Sequence, residues 1–178
     1  MRRTGMIGLL VAFALGGCGG TSSQSDVEFT RADGSTASFR DAIRAWCGPF
    51  DEDNEDVEAV HVLAGALPGN ESPGSYWILD AVRADIARDP ETALPNSFTY
   101  TEPRAAFVFV FDAEDRENEL SSAEEESSGT LRVESDGCEA GDSVEVEFDD
   151  VVLGSEYHDL QTMSVTGTVV AAIGEPPT

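Results

Sequence analysis

The sequence predicts an all-β domain, a single antiparallel sandwich or barrel-like fold with room for one short helix. Three observations predict it. Ala106 to Phe111 (AFVFVF) is a continuous run of aromatic and β-branched residues, the composition of a buried strand. Gly129 to Glu134, Asp142 to Phe148, Val151 to Leu153 and Ser164 to Ile173 follow as further strand-like runs at short spacing, separated by Gly and Asp turns. Asp33-Gly34-Ser35 and Pro68 to Ser75 (PGNESPGS) are turn clusters between earlier runs.

Residues 1–17 are expected to be a signal peptide. Arg2 and Arg3 make a basic start, and Met6 to Leu15 (MIGLLVAFAL) is an uncharged apolar run. That run is too short to span a bilayer, which takes about 20 apolar residues. Small residues then precede a cysteine, Leu15-Gly16-Gly17-Cys18. This resembles the lipobox of bacterial lipoproteins. The resemblance covers about the first tenth of the chain. It implies diacylglyceryl transfer to the Cys18 thiol, cleavage between Gly17 and Cys18, and acylation of the new N-terminus. It also implies an exported protein attached to the cell-envelope bilayer through Cys18. Gly19 at the next position leans toward the outer membrane if the envelope is Gram-negative. Two or more acyl chains are what stable anchoring requires.

Residues 18–25, rich in Gly and Ser, are expected to be a flexible tether, and 26–174 to form the acidic β-rich domain. Val27 to Arg31 alternates and leads into the Asp33-Gly34-Ser35 turn, a hairpin pattern. Ser38 to Cys47 fits either a helical face or a strand, the strand being preferred. Gly48 to Asp56 is a loop by composition, and Val57 to Leu63 a strand. Tyr76 to Ile86 is ambiguous: Ile78, Val82 and Ile86 mark a helix face, whereas its Tyr-Trp-Ile-Leu opening suits a strand. Asp89-Pro90 ends it either way. Asp112 to Ser128 is acidic and Ser-rich and is expected to be a solvated loop. Residues 175–178 are a frayed tail.

From Ser128 to Thr168 the chain loosely resembles uncharacterised β-rich secreted lipoproteins. The marks are Ser128-Gly129-Thr130, Cys138 to Asp142 (CEAGD), Leu153 to Glu156 (LGSE) and Val165 to Thr168 (VTGT). That resemblance implies a fold class and no activity.

Cleavage before Cys18 leaves 161 of the 178 residues, enough for one domain with a real core. It removes two of the ten Arg, which takes the net charge from −25 to −27. With no Lys in the chain, nucleic acid is excluded as a partner, because phosphate binding needs Lys/Arg stripes. Anionic head groups are repelled, so the lipid at Cys18 is the membrane attachment. No cofactor is expected.

Candidate chemistry is sparse. Cys47 and Cys138 form an even pair once Cys18 is set apart, and an exported chain is expected to bridge them. Trp46-Cys47-Gly48-Pro49 resembles the start of the thioredoxin active site. Phe50 stands where the second Cys belongs, and Asp51-Glu52-Asp53 would raise a thiol pKa, so a structural half-cystine is preferred over a thiol oxidoreductase acting through Cys47. Asp51, Asp53 and Glu55 are weak metal candidates. Asp56 holds the sixth position, where an EF-hand needs Gly, and Val62 the twelfth, where it needs Glu. His61 sits in an apolar run and reads as a satisfied half-buried imidazole. His158 has neither a nucleophile elbow nor a metal-site companion. The aromatics read as core. A non-enzymatic structural or interaction domain is the leading expectation, with a small-ligand or divalent-cation-binding lipoprotein as the alternative.

Overall fold

The computed structural model describes residues 23–37, 39, 43–65, 74–96, 105–114, 118–155 and 161–176. Gly17, Cys18, His158 and most of the 68–75 turn lie outside them.

The all-β expectation holds. Among the described residues the strands are β1 (Gln24–Ser25), β2 (Glu28–Arg31), β3 (Thr36–Ala37), β4 (Arg44–Pro49), β5 (Glu58–Gly65), β6 (Tyr76–Val82), β7 (Glu91–Ala93), β8 (Ala106–Asp112), β9 (Asn118–Ser121), β10 (Ser128–Ser135), β11 (Ser143–Ser155) and β12 (Met163–Ala172). A single helical turn, α1 (Arg83–Ile86), follows β6. The strands form one antiparallel sheet in the order β3-β2-β12-β11-β9-β8-β6-β5-β4, with β1 added to β12 and β10 joining β11 to β7.

The sheet is open and curled into a half-barrel. Its last strand, β4, comes back to the end of β12, where Ala45 and Ile173 make a parallel bridge. There the Gly174 N–H donates to the Ala45 carbonyl at 2.8 Å. The inner side is apolar because the strands alternate. Val144, Val146, Val165, Val169 and Ala171 point inward, while Glu145, Glu147, Ser164 and Thr166 point out. Leu79, Val62, Val108 and Leu131 are fully buried in this core. Each such side chain contributes about 1.5–3 kcal/mol through the water it leaves.

Two elements differ from the sequence reading for a local reason. Asp142 to Phe148 and Val151 to Leu153 are not two strands but one, β11. Between Phe148 and Val151 its register against β12 shifts, with Asp150 at φ 48°. The extra residue of this bulge keeps Phe148 and Val151 on the same inner side. Tyr76 to Ile86 is both things expected of it, a strand to Val82 and then a helical turn.

A third reading is overturned. Asp112 to Ser128 is not a solvated loop among its described residues. It contains β9, and Asp112, Asn118, Ser121, Ser122 and Ser127 are buried. Burial is tolerated because the polar atoms find partners. The Val108 N–H donates to Ser122 Oγ at 3.0 Å. Ser127 Oγ donates to the Ser121 carbonyl and accepts from the Gly154 N–H. Ser155 Oγ donates to Asn118 Oδ1 at 2.8 Å. Composition signals solvation here, yet small hydroxyls substitute for ladder bonds where strands cross. Strands β1 and β7 were not read from the sequence, and β1 lies within the stretch expected to be tether.

Candidate functional site

The strands β4, β5, β6 and β8 present two sides with different characters. Ala45, Val62, Leu79 and Val108 form one cross-strand row on the inner side, in the core. The next row, Trp46, His61, Asp80 and Phe107, lies on the outer side. Arg44, Leu63, Ile78 and Phe109 follow, and then Tyr76 with Phe111. Aromatics therefore segregate by face rather than all entering the core. Phe29, Trp77 and Phe148 pack inside against one another. Trp46, Phe109 and Phe111 are half-exposed outside. The signal was present in Ala106 to Phe111, where Phe and Val alternate: Val108 and Val110 point in, and the three Phe point out.

His61 stands in this outer face. Its Nδ1 lies 2.7 Å from Asp80 Oδ1 and its Nε2 3.1 Å from the Pro49 carbonyl. The ring is 5 % exposed and stacks on Trp46, with centroids 5.1 Å apart and planes 17° apart. Both ring nitrogens face oxygen atoms of the protein, so neither is left open toward solvent. A histidine–carboxylate pair can serve acid–base chemistry only when the second nitrogen is free for substrate. Here Pro49 occupies it.

Cys47 is bridged to Cys138, which ties β4 to the turn between β10 and β11. Both half-cystines pack against the core. The Asp51 carboxylate is spent on its own loop, where Oδ1 accepts from the Asp53 N–H, the Asn54 N–H and Asn54 Nδ2. Asp51, Asp53 and Glu55 do not converge with a further ligand. Among the described residues no three His, Cys, Asp or Glu side chains are placed to hold a metal ion.

Two polar assemblies escaped the sequence reading because their members are far apart in the chain. Arg31 at the end of β2 grips Asp112 at the end of β8, Nε to Oδ2 at 2.6 Å and Nη2 to Oδ1 at 3.0 Å. The Asp112 side chain is fully buried and Arg31 is 13 % exposed. The bond to Asp112, reinforced by Glu114 and opposed by burial, raises the Arg31 pKa above its ordinary value. The second is an open groove of about 680 Å³ beside α1, bordered by Glu58, Arg83, Ile86, Pro90, Glu134 and Asp136. Arg83 pairs with Glu58 across 2.6 Å, and Asp136 accepts from the Ser143 N–H and hydroxyl.

Compared with known proteins, the chain matches no family model, no curated protein and no solved structure.

Proposed function

We propose that the chain is an extracytoplasmic lipoprotein, held to the envelope bilayer by acylated Cys18, whose β-rich domain works as a non-enzymatic structural or interaction module. The observation that carries the reading is Leu15-Gly16-Gly17-Cys18 behind a short apolar run with a basic start. Support for the absence of catalysis comes from how the reactive groups are used. Cys47 is in a disulfide, and both His61 nitrogens face acceptors. The Asp112 carboxylate is saturated by Arg31, Ser75 and the Glu114 N–H.

The test is mass spectrometry of the N-terminal peptide after expression in a bacterial host. The expected product begins at Cys18 and carries a thioether-linked diacylglycerol, and Cys18→Ser releases the protein from the membrane fraction. Residues 1–17 still attached, or an unmodified Cys18 thiol, would reject the reading.

The groove beside α1 favours a second reading, a small-ligand or divalent-cation-binding lipoprotein. Its border mixes carboxylates with Ile86 and Pro90. Thermal-shift titrations with Ca²⁺ and with small apolar amines test it, and flat curves throughout would end it.

A further inference from the structure

We propose that the outer side of β4, β5, β6 and β8 is the docking surface for a protein partner that presents an apolar centre flanked by Lys or Arg. This rests on the reading of the domain as an interaction module and names its partner class. The two exteriors of the half-barrel differ in kind. Over β10, β11 and β12 the outward positions are Arg132, Glu134, Glu145, Glu147, Ser164 and Thr166, as a solvated antiparallel sheet requires. Over β6 and β8 they include Ile78, Phe109 and Phe111, all half-buried; Trp46 stands on β4, across β5, whose outward His61 and Leu63 are buried. Folding of the core does not use these side chains, since Val62, Leu79, Val108 and Val110 fill the inner side of the same strands. Outward apolar side chains with a polar surround are the mark of an interaction site.

The charge around the patch selects the occupant. Phe50 and Val57 fold onto Ala59 and Val82, on this same outer side. That packing sets the loop between them, with Asp51, Glu52, Asp53, Glu55 and Asp56, at one end of the patch. Asp80 lies within the patch, bonded to His61, Arg44 stands exposed at its β4 margin, and Glu119 is paired beside Phe111. A chain of net charge −25 repels a second copy of itself and an anionic bilayer alike. A polypeptide with Lys or Arg around apolar residues meets both the patch and its border.

The experiment uses the full-length chain carrying Cys18→Ser, so that failure of acylation and failure of docking are read separately. The probe is a synthetic peptide with Leu and Ile at its centre, Lys at both ends and no Trp. Trp46 reports binding, because the other of the two tryptophans, Trp77, is 2 % exposed in the core. The expected result is a saturable shift in emission. It should weaken by about tenfold with Ile78→Ser or Phe109→Ser, and again between about 0.05 and about 0.5 M salt. Thr166→Ala, on the opposite exterior, should leave it unchanged. Thermal unfolding checks that the variants fold. If Ile78→Ser does not, comparison of the Lys peptide with a Glu-flanked twin on the otherwise unsubstituted chain decides alone. Equal binding of the Glu twin would overturn the proposal. So would a larger emission shift with phosphatidylcholine–phosphatidylglycerol vesicles than with the peptide, or self-association of the chain that Ile78→Ser abolishes.

Discussion

Replacing Cys47 and Cys138 together by alanine removes a cross-link between residues 91 apart in sequence. In the chain-entropy account, closing a loop of that size lowers the entropy of the unfolded ensemble by about 16 cal/mol/K, or about 4.6 kcal/mol at 25 °C. Denatured-state structure reduces that figure, and measured losses run from about 2 to 5 kcal/mol. The location argues for the upper part of the range. The bridge anchors β4, whose return to β12 is otherwise marked by the Ala45–Ile173 bridge and the Gly174–Ala45 hydrogen bond. Guanidinium unfolding, followed by tryptophan emission, should show the midpoint falling by about 1 M and the slope rising, because the uncrosslinked denatured chain is more open. The thermal midpoint should drop by roughly 10–15 °C. A midpoint unmoved within about 0.2 M, in the variant and in the unsubstituted protein under reductant, would refute the reasoning.

Other expectations are more local. Asp112→Asn leaves the Arg31 charge nearly buried without its carboxylate and should cost about 3–5 kcal/mol in urea unfolding. Glu114→Gln, at a partner 61 % exposed, should cost less than about 1 kcal/mol in the same assay. Gly129→Ala should destabilise by at least about 2 kcal/mol, because Gly129 has φ 97° and an added Cβ would stand 2.4 Å from the Asp150 carbonyl oxygen; an unchanged urea midpoint would contradict the close approach. The Ser35 hydroxyl and then its N–H hold the Asp33 pKa below the ordinary carboxylate value. Since the folded value lies below the unfolded one, the turn is stabilised above the unfolded pKa and loses this as pH falls through the folded value. Carboxyl ¹³C titration should find Asp33 below the usual range, and Ser35→Ala should raise it.

Much of the fold could be read from period-two patterning. The β8 run, the β2–β3 hairpin and the outward Glu145 and Glu147 of β11 follow from alternation and turn chemistry alone. What escaped depends on partners distant in sequence. β7 is three residues long and exists because β10 pairs with it, and β1 exists because β12 does. The serines of 121–127 look like linker until Gly154 and Val108 arrive to use their hydroxyls. The Cys47–Cys138 bridge could be anticipated by counting cysteines. His61 was expected to be satisfied in a strand, yet its partner Asp80 became visible only once β5 and β6 were in register. The outward aromatic face followed the same rule: Phe-Val alternation marks two sides but does not say which one is the interior.

The order in which the chain must wait for itself is set by β12. Among the described residues the first strands to leave a ribosome, β1 and β2, find their neighbour in the last, through pairs such as Phe29 with Val165 and Gln24 with Val170. Contacts this remote in sequence make folding slow. The N-terminal end of the sheet therefore cannot close during vectorial emergence, and the earliest segment stays threadable until Met163–Ala172 is free. Under the export proposed above, that topology would work as a timer, holding back the finished fold until the whole polypeptide has crossed.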